Sequence, residues 1–425
     1  MFSIDLTIDR LGIHGEGVAR HNGLIVFVEG ALPDERVRAK IVENKKTFAR
    51  AKLLENLSDS PDRITPVCSY FGKCGGCQLM HLTYFKQLEA KQARVKEALK
   101  RIGKIEIDVN ACIPSLNPFS YRNKIQLSIN ENQELGLYAR TTHDLIPIAK
   151  CAIHCPLGEK VLAKLQTLKL PSDLKHILIK TALKTEEVLV ILVTKTQKPP
   201  IPFAKELIAS VKEIKGVVQN INPSNETILS TEFHTLAGQG WIEEEISYLR
   251  FKVSPASFFQ VNPSQAEALY SKVAELAELK GTETVLDAYC GVGTLSLILA
   301  KQAKKVIGIE SVDRAVKDAE ENAEKNQIPN THFLLGRAEM RVNELEGIDV
   351  AILNPPRIGC ERSLIESIAQ KKPEKILYVS CDPATLARDL QILISKGYCL
   401  KSVHPFDMFP QTMHVETVAL LQYCP

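Results

Sequence analysis

The sequence predicts a mixed α/β protein whose C-terminal part is a doubly wound parallel sheet, preceded by a small β-barrel and a central α+β segment. Three observations carry this expectation. From residue 263 onward, short apolar runs of strand length alternate with helical stretches. Residues 1–60 hold brief β-like runs punctuated by Gly12, Gly15, Gly17, Gly23 and Gly30. Residues 120–255 alternate short strands with loops and show no regular repeat. A length of 425 residues gives two to four domains, and a hydrophobic fraction of 45% supplies several cores, which excludes disorder, collagen-like repeat and a short disulfide scaffold.

In chain order, Leu24–Val28 and Val37–Val42 are the clearest barrel strands. Phe85, Leu88, Val95, Leu99 and Ile102 recur near helical spacing, so Tyr84–Arg101 is an amphipathic helix stopped by Gly103. Its basic residues Lys86, Lys91, Arg94, Lys96 and Lys100 form either a solvated face or a nucleic-acid contact. Central strands fall at Lys124–Ile129, Ile177–Ala182 and Val188–Thr194, with Lys198–Pro202 as a breaker. Sheet strands follow at Thr284–Asp287, Val306–Glu310, His332–Leu335, Val350–Leu353 and Ile376–Ser380, then a terminal pair near Tyr398–Val403 and Glu416–Gln422. Helices over 294–303, 311–326, 361–371 and 383–395 separate them, and a ligand is expected at the carboxyl ends of the central strands. The domains are therefore expected at 1–60 (barrel), 61–80 with 113–255 (central), 81–112 (a helix packed on the doubly wound part) and 256–425 (doubly wound sheet).

The net charge of +3 resolves by region into a neutral barrel, +4 over 61–112, +3 over 113–255 and −4 over 256–425. A polyanion would be drawn to the middle of the chain. No apolar run approaches the roughly 18–20 residues of a membrane span, and the first residues lack a basic-then-apolar leader. No membrane association and a cytoplasmic location, where thiols stay reduced, are expected. The 11 cysteines then need an explanation other than disulfides.

The first sheet strand ends in Asp287-Ala-Tyr289-Cys290-Gly291-Val-Gly293-Thr294 and runs into a helix, so its glycines allow close backbone approach to a ligand. The second ends at Glu310, a carboxylate able to accept hydrogen bonds from both hydroxyls of a ribose. Asp287, Gly291 and Glu310 together resemble the S-adenosylmethionine site of Rossmann-like methyltransferases. Strand four leads into Asn354-Pro-Pro-Arg357, where two prolines make a rigid extended loop. Amino-methyltransferases carry an aromatic after a similar Asn-Pro-Pro; Arg357 in its place argues against N-methylation.

Cys381 lies just after strand five and just before a helix, where a helix N-terminus lowers a thiol's pKa. A methyltransferase needs a thiolate when its target is C5 of a pyrimidine. Addition at C6 makes C5 enolate-like and able to attack a sulfonium methyl. The adduct must then lose its C5 proton to a general base, for which Glu416, at the start of the last strand, is the candidate.

Read together, YVSCDPATLARD (378–389), DAYCGVGT (287–294), NPPR (354–357), SFFQVNP (257–263) and HVETV (414–418) resemble the RNA 5-methyluridine methyltransferase family over nearly the whole chain. The resemblance implies a class I S-adenosylmethionine-dependent enzyme with a TRAM domain over 3–57. It further implies Gln260, Tyr289, Glu310 and Asn354 as cofactor contacts, Cys381 as nucleophile and Glu416 as proton acceptor. Phe258 or Phe259 is expected to stack on a base or to join the core. Asn354 departs from a common Asp, Arg337 from a common Asn, and Gln411 from a frequent His.

Cys68, Cys74 and Cys77 form a C-x5-C-x2-C loop that, by spacing alone, suits either a cubane cluster or zinc and needs a fourth ligand. The resemblance favours a [4Fe-4S] cluster with Cys151 as that ligand, Cys155 being the alternative, and with the central α+β domain as its host. Cys112, Cys360, Cys399 and Cys424 show no partner pattern and are expected to be structural. The implied partner is RNA, 23S ribosomal RNA favoured and transfer RNA the alternative, with no obligate protein partner.

Overall fold

The first six strands close a sheet on itself. Strands β1 (Ser3–Thr7), β2 (Arg10–Leu11), β3 (Gly17–His21), β4 (Leu24–Glu29), β5 (Arg36–Asn44) and β6 (Phe48–Ser58) lie in the order β1-β5-β6-β4-β3-β2. Its two edge strands are consecutive in sequence, so the run from Ser3 to Leu11 joins both edges into a barrel around Leu6, Val26, Val28, Val37 and Ala39. The β3–β4 turn is Asn22-Gly23, both left-handed at φ 48° and 83°, as a two-residue hairpin requires. The computed structural model describes residues 3–140, 142–224 and 226–424.

Helix α1 (Tyr84–Ala98), continued by a wide turn over Leu99–Gly103, precedes the central domain. That domain contains β7 (Lys124–Ile129), β8 (Leu135–Tyr138), β9 (Leu145–Pro147), α2 (Pro156–Leu165), β10 (Leu174–Ala182), β11 (Glu187–Thr194), α3 (Ile201–Ser210), β12 (Ile214–Ile221) and β13 (Phe233–Gly238). Its seven strands run β13-β12-β11-β10-β7-β8-β9, with α2 and α3 covering one face through Leu162, Leu165, Phe203 and Leu207. A hairpin of β14 (Ile242–Ile246) and β15 (Leu249–Val253) and then helix α4 (Pro263–Ala277) lead into the C-terminal sheet.

There the elements alternate as β16 (Thr284–Asp287), α5 (Thr294–Ala300), β17 (Lys305–Glu310), α6 (Asp313–Lys325), β18 (Thr331–Leu335), α7 (Ala338–Arg341), β19 (Val350–Leu353), α8 (Arg362–Lys371), β20 (Lys375–Ser380) and α9 (Pro383–Ser395). They are closed by β21 (Tyr398–Phe406) and β22 (Glu416–Tyr423). The sheet order is β18-β17-β16-β19-β20-β22-β21, the first five strands parallel and β22 inserted antiparallel between β20 and β21. Every residue of β19 is buried, because helices cover both faces. Helix α4 was not distinguished in the sequence: its apolar face, Leu269, Tyr270 and Val273, follows Asn262, whose side chain caps the helix. Among the described residues no helix is long and apolar enough to cross a membrane.

Helix α1 departs from its expected amphipathic reading. Phe85 and Ile102, assigned to the apolar face, are exposed, while Lys91, assigned to the charged face, is fully buried. Val95 and Leu99 do pack inward, onto the layer formed by α9 and β21. Lys91 is accommodated by an ion pair with the equally buried Asp407 and a 3.0 Å hydrogen bond donated to the Phe409 carbonyl. Removing one partner leaves a buried charge uncompensated, at about 3–5 kcal/mol, whereas apolar replacement of both is often neutral. Lys91→Met is therefore expected to lower the melting temperature sharply, and adding Asp407→Leu to recover most of it in the same thermal scan.

Candidate active site

The carboxyl ends of β16, β17, β19 and β20 form one edge, and the expected cofactor residues gather there. Asp287 is buried and accepts a 2.7 Å hydrogen bond from Ser296 Oγ; burial raises its carboxyl to about 6. Glu310 accepts from the backbone N–H of Gly291 at 3.2 Å and of Val312 at 2.9 Å, which fixes its carboxylate beside the Gly291 turn. Gly291 is left-handed, φ 55°, and a Cβ placed on it would meet nothing within 4 Å, so the turn faces open space. Tyr289 follows Asp287 by two residues, and Asn354, half-buried, follows β19. The residues present suit an adenosyl ligand: an open backbone turn at the start of α5, a fixed carboxylate for a ribose and a rigid loop opposite.

Gln260 lies in the loop between β15 and α4. That loop is held by Lys180, whose Nζ donates to the carbonyls of Ser254 (3.0 Å), Pro255 (2.7 Å) and Ser257 (2.9 Å). Burial lowers the Lys180 ammonium to about 7. This anchor was missed in the sequence, although a lysine inside an otherwise apolar strand is a visible signal. Of the two phenylalanines, Phe259 packs on Phe251 with ring centroids 6.3 Å apart, and Phe258 is 74% exposed.

Strands β20 and β22 pair Ser380 with Thr417, so one step further places Cys381 opposite Glu416 at the mouth of the sheet. Burial pushes the Cys381 thiol up to about 11, the Glu416 carboxylate adds to the rise, and the Arg357 guanidinium opposes it. This corrects the expectation of a thiol depressed by a helix N-terminus. Asp382 stands between the thiol and α9, and its Oδ1 accepts the Ala384 and Thr385 N–H groups at 2.8 and 3.2 Å, so the helix end is already served by a carboxylate. Glu416 is raised by burial to about 8, again opposed by Arg357. Arg357 is thus the one cation acting on both groups in these balances, held by the proline-stiffened loop and by a 3.2 Å hydrogen bond from Thr385 Oγ1 to its carbonyl. The sequence had used it only to exclude another chemistry.

A cavity of about 760 Å³ opens over Cys381. Its floor includes Arg357, Asp382 and His414, and its far wall is the barrel, through Phe27, Arg50 and Lys52. A second cavity, about 430 Å³, is lined by Cys68, Cys74, Cys77 and Cys151, and shares Arg357 and His414 with the first. Cys155 does not line it; it is fully buried at the start of α2. Burial raises the Cys77 and Cys151 thiols, Cys151 to about 11, and the neighbouring thiols push Cys77 further in the same direction. Among the described residues no three Cys, His, Asp or Glu side chains converge as a metal site. Cys112 and Cys360 are buried, but Cys399 is exposed on β21.

A family profile described as tRNA (Uracil-5-)-methyltransferase matches residues 83–423, and a TRAM domain profile matches residues 3–54. An uncharacterized RNA methyltransferase of Clostridium acetobutylicum is 42% identical over 98% of this chain and 96% of its own length. One from Listeria monocytogenes is 41% identical over 99% and 97%. The crystal structure of the Pyrococcus abyssi tRNA (uracil-54, C5)-methyltransferase in complex with S-adenosyl-L-homocysteine superposes with a TM-score of 0.81 at 28% identity, covering 98% of this chain and 100% of that one.

The electrostatics give a direct expectation for the thiol. Alkylation of Cys381, followed at its own peptide by mass spectrometry, should keep accelerating above pH 9 instead of levelling near 8.5 as for a free cysteine. Arg357→Gln removes the cation that favours the thiolate, so the rise should move to still higher pH.

Proposed function

The chain belongs to the tRNA (uracil-5-)-methyltransferase family, and from that premise we propose that it methylates C5 of a uridine in structured RNA through a covalent adduct at Cys381. The enzyme is an S-adenosylmethionine-dependent RNA methyltransferase with an N-terminal TRAM domain. The observation that carries the mechanism is the cross-strand placement of Cys381 beside Glu416 with Arg357 acting on both.

Bound between the Gly291 turn, Glu310 and Asn354, with Asp287, Tyr289 and Gln260 around it, S-adenosylmethionine supplies an electrophilic methyl group. Cys381 adds as thiolate to C6, and the electron pair of the C5–C6 bond moves toward the C4 carbonyl oxygen, which makes C5 nucleophilic. Arg357 favours the thiolate over the thiol at this stage. C5 would then attack the methyl carbon while the methyl–sulfur bond breaks and leaves S-adenosylhomocysteine; Glu416 takes the C5 proton, the C5–C6 double bond re-forms and the bond from Cys381 sulfur to C6 breaks. With its carboxyl raised to about 8, Glu416 is a stronger base than an exposed carboxylate but is mostly protonated at neutral pH. Both groups gain their working form as pH rises.

The uridine must leave its stack to reach Cys381, which favours loop or single-stranded RNA. The cavity over Cys381 is walled by the barrel, so the RNA would run between the TRAM domain and the sheet edge, past Arg50 and Lys52. The four cysteines around the second cavity, Cys68, Cys74, Cys77 and Cys151, would hold a [4Fe-4S] cluster. Four cysteine thiols lining one cavity are the donor set that such a cluster takes. Such a cluster would fix the cysteine loop against the central domain; the methyl transfer itself needs no electron from it. Ribosomal RNA is the reading that pairs a barrel with a cysteine loop. Transfer RNA is favoured by one observation, that the Pyrococcus abyssi enzyme, named for uracil 54 of tRNA, matches this chain from end to end.

Cys381→Ala should abolish methyl transfer, and Glu416→Gln should accumulate a covalent protein–RNA species that resists denaturing electrophoresis. Full activity in the Cys381→Ala enzyme would overturn the mechanism. Mapping 5-methyluridine in ribosomal and transfer RNA from a strain lacking the gene identifies the substrate. Anaerobically purified enzyme is expected to carry about four irons and as many labile sulfides per chain, both lost in Cys77→Ser; stoichiometric zinc instead would sink the cluster assignment.

A further inference from the structure

Three side chains of α1 reach one segment of the catalytic part. Gln87 Nε2 donates to Gln411 Oε1 at 3.0 Å, and the Gln411 N–H donates back to Gln87 Oε1 at 3.1 Å. Lys91 pairs with Asp407 and donates to the Phe409 carbonyl. Arg94 donates through Nη1 to the Met413 carbonyl, and its Nη2 lies 4.0 Å from Asp382 Oδ2. Spacings of four and three put these residues on a single helical face. The segment they hold, 407–414, connects β21 to β22 and ends two residues before Glu416. Asp382 is the residue after Cys381. Arg94 therefore touches the immediate neighbourhoods of both reacting groups, with its side chain only 17% exposed.

We propose that α1 sets the separation of nucleophile and base, and that Arg94 is the positioning residue that does so. The inference rests on the roles assigned to Cys381 and Glu416. Gln87 and Lys91 anchor the segment at its middle and start, while Arg94 fixes its end against the turn that carries Cys381. Gln411, left-handed at φ 70°, also accepts the N–H groups of Gln78 and Leu79 with its carbonyl, so the anchored segment is tied to the cysteine loop as well. The step that depends most on this separation is elimination: the C5 proton passes to Glu416 while the bond from Cys381 to C6 breaks, and both events must occur on one ring held between the two strands.

The test measures partition between adduct and product. In Arg94→Ala, covalent protein–RNA adduct is quantified on denaturing gels alongside 5-methyluridine release, with melting temperature and S-adenosylmethionine binding monitored on the same preparation. The expected result is an adduct-to-product ratio raised about tenfold or more, since a misplacement of about 1 Å can cost about a hundredfold in rate, with adduct formation changed much less. Arg94→Lys, which keeps one donor, should fall between wild type and Ala, and it carries the test if the Ala variant fails to fold. A wild-type ratio in both variants overturns the proposal. So does a loss confined to RNA affinity with a salt slope flatter by about 0.7, which would make Arg94 a phosphate contact instead. Failure of the underlying mechanism is read separately, from activity retained in Cys381→Ala.

Discussion

A lysine and an aspartate, both withdrawn completely from water, hold the architecture of the site in place. Lys91 and Asp407 come from parts of the chain more than three hundred residues apart, and each would be costly to bury alone. Because they must meet, α1 cannot slide along the catalytic sheet, and the segment after β21 cannot relax into solvent. The cysteine loop is tied to the same segment, since the N–H groups of Gln78 and Leu79 donate to the Gln411 carbonyl.

The sheet contributes a different kind of order. Parallel strands bring Asp287, Glu310, Asn354 and Cys381 to a common edge by topology alone. The last strand departs from this rule by running antiparallel, and so it delivers Glu416 to the same edge from the opposite chain direction. Cys381 thereby acquires a carboxylate neighbour that comes from outside the βα loops. The same closeness raises the thiol, and the burial that makes Glu416 basic also limits its ionisation. Arg357 moderates both effects from an exposed loop.

How much of this could be read in the sequence depended on the physics of each part. The parallel strands were legible because strands covered on both faces are continuous apolar runs, as in Val350–Leu353. The glycine turn and the acidic residue after the second strand were legible because backbone approach to a ligand leaves few alternatives to glycine. Lys91 was misread because helical periodicity reports hydrophobicity and is blind to a partner that arrives from residue 407. Cys381 was placed correctly beside a helix, but its electrostatics were not, because capping by Asp382 and burial beside Glu416 are tertiary facts. Short α7 and the Lys180 anchor escaped for the same reason: their signals are single residues whose meaning depends on what folds against them.

The wall between the two cavities has one more consequence. Arg357 and His414 face both the space over Cys381 and the space among the four cysteines. A side chain shared in this way has one position at a time, so a group that drew Arg357 toward one space would withdraw it from the other, and thermodynamic linkage would make such an influence mutual. The chain thus contains two compartments divided by one shared wall, and the side chains that form it belong to both without any movement of the sheet that carries them.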